Sequence, residues 1–145
     1  MGILNDLKIT GLGTEQNPYI ITTGKQFNDI FGEGNINELS LISGGYVWAL
    51  ANDILLDSTY QPSSTAFKGT LKGWDAENNI LKTVKIDIGS ITNRKGSFHK
   101  TSSGETSKSV GGIFDGVEKD SSFSNLELHG KLTVSSSVKA TYVGG

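Results

Sequence analysis

The chain has 145 residues, enough for one domain with a buried core, and a formal net charge of −2 that argues against electrostatic binding to nucleic acid or an anionic membrane. Hydrophobic residues make up 35%, and 19 glycines stand against 2 prolines, as is typical of short strands joined by many turns. The absence of cysteine excludes disulfides, thiolate metal sites and a cysteine nucleophile. No apolar run reaches the length of a membrane span.

The first half of the chain predicts one helix among short strands. Residues 7–9 could form a first strand, and Asn17-Pro18 opens a turn before a strand at 19–21. Thr23 and Gln26 stand in the capping-box spacing, and apolar residues follow at helical intervals up to the glycines at 32 and 34. We expect this helix to cover one exposed end of a stack of strands.

Further strands are predicted at 46–50, 54–56, 67–71, 80–88, 113–117, 123–128 and 131–134, because apolar residues alternate there. Residues 89–109 are rich in Ser, Thr, Gly and Lys and predict a long loop. Residues 66–73 and 110–117 are similar apolar and glycine-rich segments, each followed by a turn and a strand. Such a recurrence indicates stacked strands.

The order of these segments resembles a family of bacterial and phage surface domains with a β-solenoid fold. The resemblance is carried by Gly11-Leu12-Gly13-Thr14 with Asn17-Pro18-Tyr19-Ile20-Ile21 before the helix, by residues 46–56, and by residues 67–86. Residues 111–130 are similar to the GLUG-type repeat of that family. Lys72-Gly73-Trp74 departs from it, since the family usually has an Asp-Gly turn there.

The resemblance implies an all-β fold, a right-handed parallel β-helix (β-solenoid) with a short N-terminal capping helix. We expect a single domain over residues 1–145, with the cap in about 1–45 and the strand stack in 46–145. The sequence ends where a further repeat would begin, which predicts more chain or an oligomeric partner beyond Gly145. The expected core positions are Phe67, Leu71, Val84, Ile86, Ile113, Phe114, Phe123, Leu126 and Leu128.

Candidate catalytic and metal-binding groups are few. A glycan-cleaving enzyme would need two carboxylates flanking one bond, and the candidates are Asp53 with Asp57, Asp75 with Glu77, and the group Asp115, Glu118 and Asp120. All three sets are better interpreted as turn formers and solvated charges. The last set could also offer oxygen ligands to calcium, although no EF-hand pattern is present. His99 and His129 have no metal-ligand spacing. We therefore expect no enzyme activity, no metal and no cofactor.

A contact site for a partner is predicted in the one local basic cluster, together with two aromatic side chains that stand in polar surroundings. Exposed aromatic residues often mark contacts with sugars or proteins. The candidate contact residues are Arg94, Lys95, Phe98, His99, Lys100, Trp74 and Tyr60.

Three classes of function follow from the residues and the resemblance. The first is a non-enzymatic structural component of a surface-exposed assembly, a phage virion protein such as a capsid decoration, fibre or tail protein. The alternative is a bacterial cell-surface adhesin domain that binds glycan or protein, and the third class is a glycan-cleaving β-helix enzyme. The first residues lack a secretory signal pattern, which favours the virion over an exported adhesin. The expected partners are further copies of the chain, other structural proteins of the same assembly or a surface glycan, with no nucleic acid and no membrane insertion.

Overall fold

The structure is a computed structural model that describes residues 2–34, 38–56, 59–94, 97–100, 106–110, 113–134 and 142–143. Side chains are described for residues 2–34, 38–56, 59–90 and 113–131. The described helices are α1 (Ile3–Asp6), α2 (Gly24–Phe31) and α3 (Ser40–Ser43). The described strands are β1 (Tyr19–Ile21), β2 (Tyr46–Leu50), β3 (Ile54–Leu55), β4 (Gly69–Asp75), β5 (Ile80–Leu81), β6 (Val84–Arg94), β7 (Ser97–Lys100), β8 (Thr106–Val110), β9 (Ser122–Ser124), β10 (Leu126–Val134) and β11 (Tyr142–Val143).

The largest sheet has four parallel strands in the order β1-β2-β4-β9, and β5 pairs antiparallel with the end of β4. One row of paired residues crosses it, from Tyr19 through Trp48 and Leu71 to Phe123. The alternating apolar residues of each strand therefore lie above one another on the core face, as the period of two in the sequence requires.

Two smaller sheets complete the described strands. The second sheet has the parallel order β3-β6-β10, and its paired residues include Ile54 with Ile86 and Ile86 with Leu128. The third has the order β11-β8-β7, in which β7 and β8 form an antiparallel pair. Residues 89–109, predicted as a loop, thus contain the end of β6 and the β7–β8 pair, so that prediction is wrong for the backbone described there.

Helix α2 forms where the sequence predicts it, because its capping box satisfies the first free N–H groups of the helix. The Thr23 side chain accepts a hydrogen bond from the Gln26 N–H at 3.1 Å, and Gln26 Oε1 accepts one from the Thr23 N–H at 3.2 Å. The buried face of the helix consists of Phe27, Ile30 and Phe31. Phe31 lies against Trp48, Phe67 and Phe114, with ring centroids 5.1 to 5.8 Å apart.

The predicted all-β right-handed parallel β-helix with a capping helix is wrong. The described residues form a small arrangement of mixed helices and strands, with parallel sheets of few strands and no solenoid. The physical reason lies in the strand pairing, because the described strands divide among three small sheets that include two antiparallel pairs, β4–β5 and β7–β8. The predicted first strand at 7–9 is also wrong, since α1 and a turn occupy the residues before Ile9.

Residues 66–73 and 110–117, the two similar segments of the sequence, meet in the structure. Their pairing is shifted by three residues from the alignment that their sequences suggest. Phe67 aligns with Phe114 in sequence, yet it pairs in parallel with Val117 through hydrogen bonds to the flanking Gly116 carbonyl and Glu118 N–H. The Phe67 and Phe114 rings stack instead, with centroids 4.5 Å apart and planes at 13°. The two segments thus contribute to one core.

Candidate interaction surface

Among the described residues, the core is open on the side of β9 and β10, where an apolar groove of about 230 Å³ lies between the two main sheets. We call it the apolar groove, and its lining residues are Leu71, Ile86, Ile113, Phe114, Val117, Phe123, Leu126, Glu127 and Leu128. Its floor is the buried core and its rim belongs to β9, β10 and the segment that precedes them. The groove is therefore continuous with the core and not a separate surface depression.

Three side chains at the rim are exposed although each pairs with a neighbour that is fully buried. Val117 is 52% exposed beside Phe67, Phe123 is 45% exposed beside Leu71, and Leu128 is 48% exposed beside Ile86. Their strand partners are at most 1% exposed. The inner residue of each pair is thus buried and the outer residue is exposed, because no further described strand covers the outer strand.

The strand edges at this end of the molecule are also unpaired among the described residues. Among the described residues, β9 is the outermost parallel strand of the first sheet and β10 is that of the second. Each of them pairs on one side only. An open strand edge beside an exposed apolar surface is a template for pairing with another chain. The groove and the two edges together have the properties of a protein–protein interaction surface.

The outward face of β10 is polar and carries charges of both signs. Glu127 and His129 lie side by side, with 3.5 Å between Glu127 Oε2 and His129 Nε2. Lys131 follows two residues further along the strand and is exposed. Apolar residues on one face of an edge strand and charges on the other would give a partner strand both a hydrophobic and an electrostatic contact.

Of the predicted contact residues, the structure describes the side chains of Tyr60 and Trp74. Tyr60 is 1% exposed and its hydroxyl donates a hydrogen bond to the Ile113 carbonyl at 2.6 Å, so its predicted role as an exposed contact residue is wrong. Trp74 is half-buried in the β4–β5 hairpin, with Lys72 Nζ 4.5 Å from its ring. Lys95 lies outside the described residues, as do the side chains of Arg94, Phe98, His99 and Lys100.

The predicted core residues divide into a buried and an open group. Phe67, Leu71, Val84 and Ile86 are at most 2% exposed. Ile113, Phe114 and Leu126 are partly buried against the core, whereas Phe123 and Leu128 are about half exposed and belong to the groove. Sequence reasoning did not single out Val117, Glu127 or Lys131. The alternation of apolar and charged residues along 126–132 predicts a strand with one solvated face, but the inner strand β6 alternates in the same way, so this signal does not mark an edge.

Two of the candidate carboxylates, those of Asp53 and Asp75, serve the local structure. Asp53 Oδ1 accepts a hydrogen bond from the Lys85 N–H at 2.7 Å and so ties two neighbouring segments together. Asp75 accepts hydrogen bonds from the Glu77 and Asn78 N–H groups inside the β4–β5 turn. Within the described part of the chain, no group of three or more acidic or histidine side chains is placed to hold a metal ion.

Two polar clefts flank α2 and share Asn28. The larger, of about 560 Å³, is lined by Gly24, Lys25, Asn28, Leu55, Leu56, Gly89 and Ser90. The smaller, of about 240 Å³, is lined by Asn28, Glu33, Thr59 and Gln61. Glu33 is the one carboxylate among these described lining residues, so they do not themselves include the acid pair that glycoside cleavage needs.

Comparisons with protein-family models, with curated proteins and with solved structures found no match. No helix of the described residues combines the length and the apolar character that a membrane crossing requires.

Proposed function

We propose that the protein is a non-enzymatic structural subunit that acts by packing the apolar groove against another protein chain. The observation that carries the proposal is the exposure of Val117, Phe123 and Leu128 beside strand partners that are fully buried. Fully burying one such side chain contributes roughly 1.5–3 kcal/mol. Because the three side chains are already about half buried, covering them contributes less than this figure for each, and it favours association together with pairing along the open strand edges.

As the setting of this subunit we propose a phage virion, with a bacterial cell surface as the alternative. The similarity of residues 11–22 and 46–56 to bacterial and phage surface domains supports both settings. The local roles of Asp53 and Asp75 in the structure support a non-catalytic function, because these carboxylates are engaged in holding turns and neighbouring strands.

The test is to follow the protein from its native source through a density gradient that separates virus particles, cell envelopes and free protein. Recovery in particles at a constant ratio to the capsid protein supports the virion setting, and recovery in envelopes supports the cell surface. Recovery in the free-protein fraction alone would overturn the structural role.

A matched pair of variants links this result to the groove. Leu128→Asp places a charge at the rim and is expected to abolish recovery in the assembly. Leu12→Asp changes another exposed leucine, 66% exposed and not among the groove residues, and is expected to leave recovery unchanged. Equal behaviour of the two variants would show that the groove is not the contact.

A further inference from the structure

We propose that the chain covering the apolar groove is a second copy of this protein, with β10 of each copy paired antiparallel about a two-fold axis at His129. The proposal rests on the proposed structural function and names the partner of the same surface. It follows from three features of the described residues: the core is open where β9 and β10 end the two main sheets, the outer edge of β10 is unpaired, and the sequence of β10 is self-complementary in one antiparallel register.

The strands at the opposite end of the sheets have covered outer edges. On β1, the Ile20 N–H donates to the Thr10 carbonyl at 3.0 Å, which occupies that edge. On β3, α2 is so close that a Cβ added at Gly24 would lie 2.0 Å from the Leu55 carbonyl oxygen. Copies therefore cannot stack head to tail through these edges. Contact through the open end alone gives a closed, two-fold dimer and not an extended array.

Strand β10 is long for an edge strand, and its pairing with β6 gives it no extra residue, although Gly130 within it has a φ of +126°. His129 pairs with Asp87 and Lys131 with Ser90, so the extra residue of this bulge belongs to β6. The same holds for the second irregularity, between Leu132 and Val134. A bulge on the edge strand itself would hinder pairing with another chain, and the two observed bulges lie on the inner strand.

The charges on β10 are complementary when the strand meets its own copy in antiparallel orientation. With His129 opposite His129, Glu127 stands opposite Lys131 of the second copy, and the two-fold axis generates the same pair again. Residues directly opposite each other in an antiparallel pair have Cβ atoms roughly 4.5–5.5 Å apart, and opposite charges at this separation stabilise the pair.

The apolar face is complementary in the same register. Leu128 stands opposite Gly130 of the second copy, which has no side chain to crowd it, and Leu126 stands opposite position 132, also a leucine in the sequence. Because the axis is perpendicular to the sheet, the core faces of both copies remain on one side. The two apolar grooves then lie next to each other and cover the exposed leucines.

The test uses charge reversal in the full chain, with the mass in solution measured by light scattering over a range of concentrations. Glu127→Lys places Lys opposite Lys at both sites, and Lys131→Glu places Glu opposite Glu. Each single variant is expected to weaken dimerisation roughly tenfold or more, since like charges directly opposite destabilise a strand pair. The double variant Glu127→Lys/Lys131→Glu restores opposite charges and is expected to restore the dimer.

Mixing the two single variants provides the sharpest result. A heterodimer of Glu127→Lys with Lys131→Glu again has opposite charges at both sites, so the mixture is expected to dimerise where each variant alone does not. Both side chains are exposed, so the thermal unfolding of the separated monomers should stay unchanged. Failure of both the double variant and the mixture to dimerise would overturn the register.

A wild-type chain that stays monomeric at every concentration would overturn the dimer. The proposed function would survive that result if Leu128→Asp still abolished recovery in the native assembly, because the groove would then bind a different subunit. If Leu128→Asp still formed the dimer and was still recovered in the native assembly, both proposals would be overturned. The two failures are thus distinguishable.

Discussion

At the scale of single residues, Phe67 connects the predicted repeat to the core. Its ring is fully buried and lies against Phe31, Phe114 and Phe123, with centroids 4.5 to 5.8 Å apart. The geometry includes both stacked and edge-to-face contacts, which add to the energy of burial. The ring thereby joins helix α2 to both similar segments of the sequence.

We expect Phe67→Ala to lower the free energy of unfolding by ~3–5 kcal/mol, because the change leaves a cavity among the aromatic rings. Urea unfolding at low protein concentration measures the loss. Phe123→Ala is the matched control, since Phe123 is 45% exposed and loses less buried area. A loss of less than about 1 kcal/mol for Phe67→Ala would place the ring outside the core.

The Asp75 carboxylate predicts a dependence of stability on pH. Hydrogen bonds from the Asn78 side-chain amide and N–H, and then from the Glu77 N–H, hold the pKa of Asp75 below its ordinary value. A lowered pKa in the folded state contributes stability that is complete above the unfolded-state value of about 3.9 and is lost as the pH falls through the folded-state value.

We therefore expect Asp75→Ala to unfold at a lower temperature than the wild type at pH 6, with the difference shrinking below about pH 4. Thermal unfolding followed by circular dichroism at several pH values measures it. Glu77→Gln, which removes a neighbouring charge in the same turn, should show no such convergence. An Asp75→Ala difference that is constant with pH would mean that the ionised carboxylate does not hold the turn.

At the scale of elements, α2 shows how a tertiary contact can reverse a local preference. Gly24 is the first residue of the helix, where alanine would ordinarily be favoured by roughly 1 kcal/mol. A Cβ at this position would lie 2.0 Å from the Leu55 carbonyl oxygen of β3. The glycine therefore permits the close approach of the helix to the second sheet.

We expect Gly24→Ala to destabilise the protein by ~1–3 kcal/mol, as is usual when atoms are forced into a packed contact. Lys25→Ala is the control one residue further on, because the Lys25 side chain is 82% exposed and its ion pair with Asp29 is at the surface. The control should change stability by no more than ~0.5 kcal/mol. A stabilising Gly24→Ala would show that helix propensity outweighs the contact.

At the scale of the whole molecule, the proposed dimer makes stability depend on concentration. Association through β10 occurs in the folded state alone, so it stabilises folding by mass action. Each tenfold rise in dissociation constant corresponds to about 1.4 kcal/mol of binding free energy. Single charge reversals should remove this contribution and leave the fold of each copy intact.

We expect the unfolding temperature of the wild type, and of Glu127→Lys/Lys131→Glu, to rise with protein concentration. The unfolding temperature of Glu127→Lys alone should stay constant over the same range. Calorimetry at several concentrations measures both. A wild-type unfolding temperature that does not change with concentration would contradict a dimer of folded subunits.

Local patterns in the sequence determined the elements whose rules act within a few residues. The capping box of Thr23 and Gln26 and the stop at Gly32 define α2, and the continuous apolar run at 46–50 predicts β2, because helix caps and apolar runs depend on near neighbours. The inward position of Phe67 was predictable for the same reason. None of these signals states which distant segments meet.

The tertiary structure alone decided the relation between segments. It divided the strands among three small sheets, paired Phe67 with Val117 and not with Phe114, and buried Tyr60 with its hydroxyl bonded to the Ile113 carbonyl. It also decided that Phe123 and Leu128 lie on an open edge while Leu71 and Ile86 are covered. The four residues have the same apolar character in sequence. Their burial depends on whether another strand lies beside them, which is a property of the assembled sheets.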